Sequence, residues 1–95
     1  MGLIKVCDGG YVRTEAVGAV DVDRVLDENS DVRTTTTTIW DLTGQNVLTS
    51  IVTQVSTSLP NNYKYAVRRD NFIHDEAVAA IREERDALEW VDPQE

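Results

Sequence analysis

Cys7 and His74 are the one cysteine and the one histidine of the 95-residue chain, so they form the only pair that could supply a thiol nucleophile and an imidazole base. Nothing around either resembles a nucleophile elbow. Cys7 reads more simply as a small core hydrophobe and His74 as a residue at a helix start, and no catalytic residue is assigned. Asp21, Asp23, Asp27, Glu28 and Asp31 form an acidic string that could offer oxygen ligands to calcium or magnesium. Arg24, Val25 and Leu26 interrupt it, and the glycine and terminal glutamate of an EF-hand loop are missing, so a solvated segment without metal is expected.

Tyr63 to Arg69 interleaves aromatic and basic residues, with Arg33 as a candidate neighbour, the composition of a stacking and phosphate surface for single strands. A net charge of −8 opposes a polyanion, and direct nucleic-acid binding is not expected. The run Thr34 to Thr38 reads as a strand face held by cross-strand threonine pairs. There is no P-loop, no dinucleotide fingerprint and no framed pair of catalytic carboxylates, so neither an enzyme nor a cofactor is expected. One surface remains. Glu76, Glu83, Glu84, Asp86 and Glu89 flank Arg82 and Arg85 in a segment patterned as a helix, and these five acids are the expected partner-binding residues.

The elements that would position these groups follow from periodicity and turn chemistry. Leu3 to Cys7 and Tyr11 to Arg13 are β-prone runs around Asp8-Gly9-Gly10, a hairpin signal. Thr14 to Gly18 suits one helical turn. Ala19 to Asp23 suits a strand with Val20 and Val22 on one face and Ala19, Asp21 and Asp23 on the other. After a loop at Asp27 to Asp31, Val32 to Leu42 is the clearest long strand, because five β-branched threonines disfavour helix. Trp40 and Leu42 mark its expected buried side. Val47 to Ser56 fits either period, and its Thr, Val and Ser content favours strand. Ser58 to Asn62 should break regular structure at Pro60. Tyr63 to Arg69 alternates as a further strand, and Asp75 to about Glu89 patterns as a helix with Ala77, Val78, Ile81 and Leu88 on its apolar face.

This order predicts one α+β domain over residues 1–91, a mostly antiparallel sheet of about four to six short strands with one C-terminal α-helix packed on it, and a short tail at 92–95. The first ten residues lack a basic region followed by an apolar run, and no apolar stretch approaches the roughly 20 residues that span a bilayer. A soluble protein without membrane contact is expected, in the cytoplasm, or in a host's cytoplasm if phage-encoded. Charge is uneven: residues 1–31 hold seven acids and three bases, 32–69 one acid and four bases, and 70–95 nine acids and two bases.

The expected function is therefore a small acidic protein-binding or regulatory module. It would engage a partner with a basic surface through a negative helix face, in its sharpest form as a phage-encoded inhibitor that mimics nucleic-acid charge. The alternative is a structural or assembly subunit of a virion or complex, a homo-oligomer using exposed strands for self-association.

Overall fold

The computed structural model describes residues 2–58 and 60–91. Strands β1 (Leu3–Cys7) and β2 (Gly10–Arg13) form the expected hairpin, pairing Ile4 with Val12 and Lys5 with Tyr11. Its turn contains Gly9 at φ 75°, a left-handed conformation that costs a glycine nothing in sterics. A single 3₁₀ turn, Thr14–Ala16, leads into β3 (Val17–Asp27), followed by β4 (Val32–Asp41) and β5 (Val47–Ser56). These three make an antiparallel sheet in the order β3-β4-β5. The fold is α+β, but its five strands divide into two sheets rather than one. β3, at 11 residues, runs well past the expected end at Asp23.

Gly18 sits in a bulge where β3 meets the end of β4. A Cβ there would lie 2.2 Å from the Asp41 carbonyl oxygen, so no larger residue fits without moving backbone.

Helix α1 (Pro60–Glu83) replaces the strand expected at Tyr63 to Arg69 and the helix expected at Asp75 to Glu89. Its inward stripe includes Asp70, Ile73, His74, Ala77, Ala80 and Ile81, at the three- and four-residue spacing of a helix. Two of those positions are polar, which hides the helical period and leaves the alternation of Tyr63, Tyr65 and Val67 as the more visible pattern. His74 consequently lies in mid-helix rather than at a helix start.

The helix stops at Glu83 because the chain turns left-handed at Glu84, φ 54°. The Arg85 N–H reaches the Ala80 carbonyl at 3.0 Å and the Glu84 N–H reaches Ile81 at 3.3 Å, the two bonds of a Schellman stop. Leu88 is therefore off the helix and 64% exposed, whereas Trp90 folds back, edge-on to Tyr65 and against Phe72.

The core lies between the hairpin, one face of the larger sheet and the helix. It contains Ile4, Val6, Val12, Ile39, Ile51, Ala77 and Ala80. The buried face of β4 is opposite to expectation: Thr35, Thr37 and Ile39 are inside, Trp40 is half-buried, and Leu42, beyond the strand, is 71% exposed. The tail expected at 92–95 lies outside the described residues.

Glu84 holds a conformation that costs a side-chain-bearing residue roughly 1–2 kcal/mol, partly offset in a glycine by its freer unfolded chain. Glu84→Gly is expected to raise unfolding free energy by about 0.5–1 kcal/mol in urea titration, whereas a glycine at exposed Arg68, inside the helix, should lower it by a similar amount.

Candidate functional site

Asp70 and His74, one helical turn apart, point from α1 into the larger sheet, where they are 2% and 0% exposed. The Asp70 carboxylate accepts hydrogen bonds from the Thr35 hydroxyl at 2.7 Å, from Arg33 Nη2 at 2.7 Å and from the Thr53 hydroxyl. Arg33 Nη2 also donates to Asn71 at 3.0 Å. Burial alone would push the Asp70 carboxyl up, but the bonds from Thr53, Thr35 and Arg33 outweigh it and hold the group below the usual carboxylate range. His74 is pushed down, chiefly by burial; Asp70 opposes the shift, and Arg24 and Arg33 add to it.

Both imidazole nitrogens are taken. Nδ1 bonds to the Thr37 hydroxyl and Nε2 to the Thr53 hydroxyl at 2.7 Å. A carboxylate can only accept, so the Thr53 proton is committed to Asp70. Thr53 must then accept from Nε2–H, which leaves Nδ1 to accept from Thr37 and fixes a neutral tautomer. This bookkeeping decides the chemistry. His74 cannot withdraw the Thr53 proton, and both its nitrogens are occupied by threonines rather than by Cys7. The cluster ties helix to sheet.

The five acids expected on one helix face do not share one. Glu76 and Glu83 are helical, whereas Glu84, Asp86 and Glu89 follow the helix stop. Arg85 donates to both Glu76 oxygens, at 2.7 and 3.1 Å, and to Glu83 at 3.1 Å. Glu76 also accepts the Leu88 N–H at 2.6 Å, and Arg85, with that N–H, lowers its carboxyl. Asp86 accepts the Lys5 N–H at 2.9 Å, Glu89 pairs with Lys5 Nζ at 3.0 Å, and Ala87 N–H donates to the Lys5 carbonyl at 2.7 Å. Residues 84–91 thus lie along β1, with most of their acids answered internally. Glu84 stays exposed.

Beneath this segment, between β1, β5 and α1, is a cavity of about 340 Å³ walled by Val6, Ile51, Ile73 and Trp90, with Arg69 and Asp8 at its lining. The other bases singled out in the sequence do not converge on it. Lys64 and Arg68 are exposed on the helix, while Arg33 is spent on Asp70 and does not join them.

Among the described residues no helix covers the opposite face of the larger sheet. There β4 presents Thr34, Thr36 and Thr38, flanked by Asp21, Asp23 and Val25 of β3 and by Ser50, Val52 and Gln54 of β5. Beyond β3 no described strand pairs, so its outer edge is open. Asp21, Asp23 and Asp27 line that edge on the uncovered face, and Glu28 and Asp31 continue in the turn to β4. All five are exposed, and none forms an ion pair with a described residue. Asp21 is steadied by Trp40 Nε1 at 3.2 Å and Asp27 by the Asn29 N–H at 3.0 Å.

Among the described residues no set of three His, Cys, Asp or Glu side chains is grouped as a metal would require. The alternation Val20-Asp21-Val22-Asp23 carries the signal for this row in the sequence, and the strand runs four residues beyond it, to Asp27.

His74 is the chain's only histidine, so acid sensitivity between pH 7 and 5.5 reports on it. Its folded pKa is depressed, so below about 6.5 the unfolded state binds a proton that the folded state refuses. Stability is expected to fall as pH drops through this window, by up to about 1.4 kcal/mol per unit. His74→Gln should be less stable at pH 7 by about 1–3 kcal/mol, with a flat profile from 7 to 5.5; a slope unchanged by the substitution would refute the assignment.

Compared with protein-family models, curated proteins and solved structures, the chain matches none of them.

Proposed function

We propose that the chain is a protein-binding module for a partner with a basic surface, engaged through the acid row of β3 and its following turn. The supporting observation is the division of the acids. Those near the helix end are largely occupied by Arg85 and Lys5, whereas Asp21, Asp23, Asp27, Glu28 and Asp31 stand exposed with no cation of the described chain beside them. Five carboxylates on one strand and turn set a negative local field, which speeds encounter with cationic surfaces and suppresses wrong partners. A binding role also suits a polar centre closed against substrate. Among the described residues, no helix is long and apolar enough to cross a membrane.

The test uses a fluorescently labelled lysine decamer and low-salt anisotropy. Binding is expected to weaken at least tenfold in the Asp21→Asn/Asp23→Asn/Asp27→Asn variant, and also between 50 and 300 mM salt, while Glu83→Gln/Glu84→Gln leaves it within about twofold. No binding, or equal loss in both variants, would overturn the reading.

A second reading, assembly of copies through the uncovered sheet face, draws support from shape. The molecule measures 43 × 33 × 18 Å with a radius of gyration of 14.4 Å, against about 12 Å for a compact domain of this length, as though one layer were missing. Light scattering at 10 to 200 µM is expected to give a defined oligomer under this reading, and a monomer throughout would exclude it.

A further inference from the structure

The open edge of β3 offers more than charge. An edge strand aims alternate backbone N–H and C=O groups outward with no partner to receive them, and here 11 residues of edge lie clear. Its two rows of side chains differ. The row on the uncovered face is Asp21, Asp23, Val25 and Asp27. The row on the helix side is Val20, Val22, Arg24 and Leu26, of which Val20 and Val22 are half-buried, Leu26 is 54% exposed and Arg24 is held by Asp75 at 3.7 Å.

We infer that β3 takes up an extended segment of its partner as an added antiparallel strand, and that the segment alternates cationic with apolar residues. This deepens the reading of the acid row as a partner surface and rests on it. Directly opposed side chains on one face of an antiparallel pair stand about 4.5–5.5 Å apart at the Cβ, so every second residue of the added strand falls over the row Asp21, Asp23, Val25 and Asp27, in which three of four are carboxylates. The residues between them fall over Val20, Val22, Arg24 and Leu26, a row that is apolar but for Arg24. A helical partner cannot match this spacing, since its same-face residues recur every three or four positions rather than every two.

A second copy of this chain is the other natural occupant, and the acid row excludes it. Two β3 strands related by a two-fold axis keep like faces together, so the axis passes through a residue and mirrored positions oppose one another. With residue 21, 22, 23, 24 or 25 on the axis, the opposed pairs include Asp21 with Asp21, Asp21 with Asp23, Asp23 with Asp23, Asp21 with Asp27, or Asp23 with Asp27 in turn. Every central register sets carboxylate against carboxylate, which destabilises a pair. The same rows invite a strand bearing lysine or arginine.

The experiment compares three seven-residue peptides on the intact chain. One is Lys-Val-Lys-Thr-Lys-Val-Lys, the second has the same residues with the four lysines contiguous, and the third is the first N-methylated at alternate amides, prepared in both phases. The alternating peptide is expected to bind at least tenfold tighter than its contiguous isomer. One phase of methylation should abolish binding and the other spare it, because only one set of amides faces β3. Hydrogen exchange should slow in 17–27 on binding and not in 47–56. Equal binding by both isomers with no effect of methylation would overturn strand addition while leaving the basic-partner reading intact, and failure of all the peptides together with the lysine decamer would overturn both.

Discussion

A carboxylate taken out of water between a helix and a sheet must be met by donors on every side, and Asp70 is met by Arg33, Thr35 and Thr53. The apolar core is small, so this polar contact sets how α1 sits as much as packing does. It also sets which way β4 faces. Once Thr35 and Thr37 turn inward to Asp70 and His74, pleating forces Thr34, Thr36 and Thr38 outward. Pairing then carries the choice to the next strand, placing Val20 and Val22 inside and Asp21 and Asp23 outside. The acidic edge is thus a consequence of hydrogen bonding on the far side of the sheet. A one-residue slip of β4 would leave a buried carboxylate without partners and invert every surface downstream.

Where the local signal agreed with the tertiary outcome, the sequence was readable. The hairpin at Gly9, the threonine-rich β4 and the β-branched β5 formed as their composition implied. Where the outcome depended on distant partners, it was not. Hydropathy assigns Trp40, and with it Thr34, Thr36 and Thr38, to the inside of β4, because the partners that make Thr35 and Thr37 favourable inside arrive from residues 70 and 74. The same two residues interrupt the apolar stripe of α1. Its helix stop carries no glycine or proline, since a glutamate occupies the left-handed position. The acids of β3 were legible as an alternating face, whereas their freedom from internal cations was not, because Lys5 and Arg85 could have chosen otherwise.

The polarity of the chain is therefore better described by which charges remain than by how many there are. Arg85 anchors two glutamates and Lys5 one, so the acid-rich stretch at 76–89 functions largely as the fastening of residues 84–91 to β1. These exposed or part-exposed pairs lie in high dielectric and each contributes modestly. Together with the Ala87 to Lys5 backbone bond they settle where the segment lies. The β3 edge keeps its field because the base on that strand, Arg24, lies on the other face and pairs with Asp75.

That fastening also has a temporal side. Lys5 and Asp86 are 81 positions apart, and the free edge of β1 receives its cover from residues that leave the ribosome only after all of α1. The hairpin is translated before α1 and completed only after it, and its closing contacts span a long loop whose entropy must be lost late. Until residues 84–91 are made, the free edge of β1 therefore stays uncovered, whereas the edge of β3 is protected by its own charge.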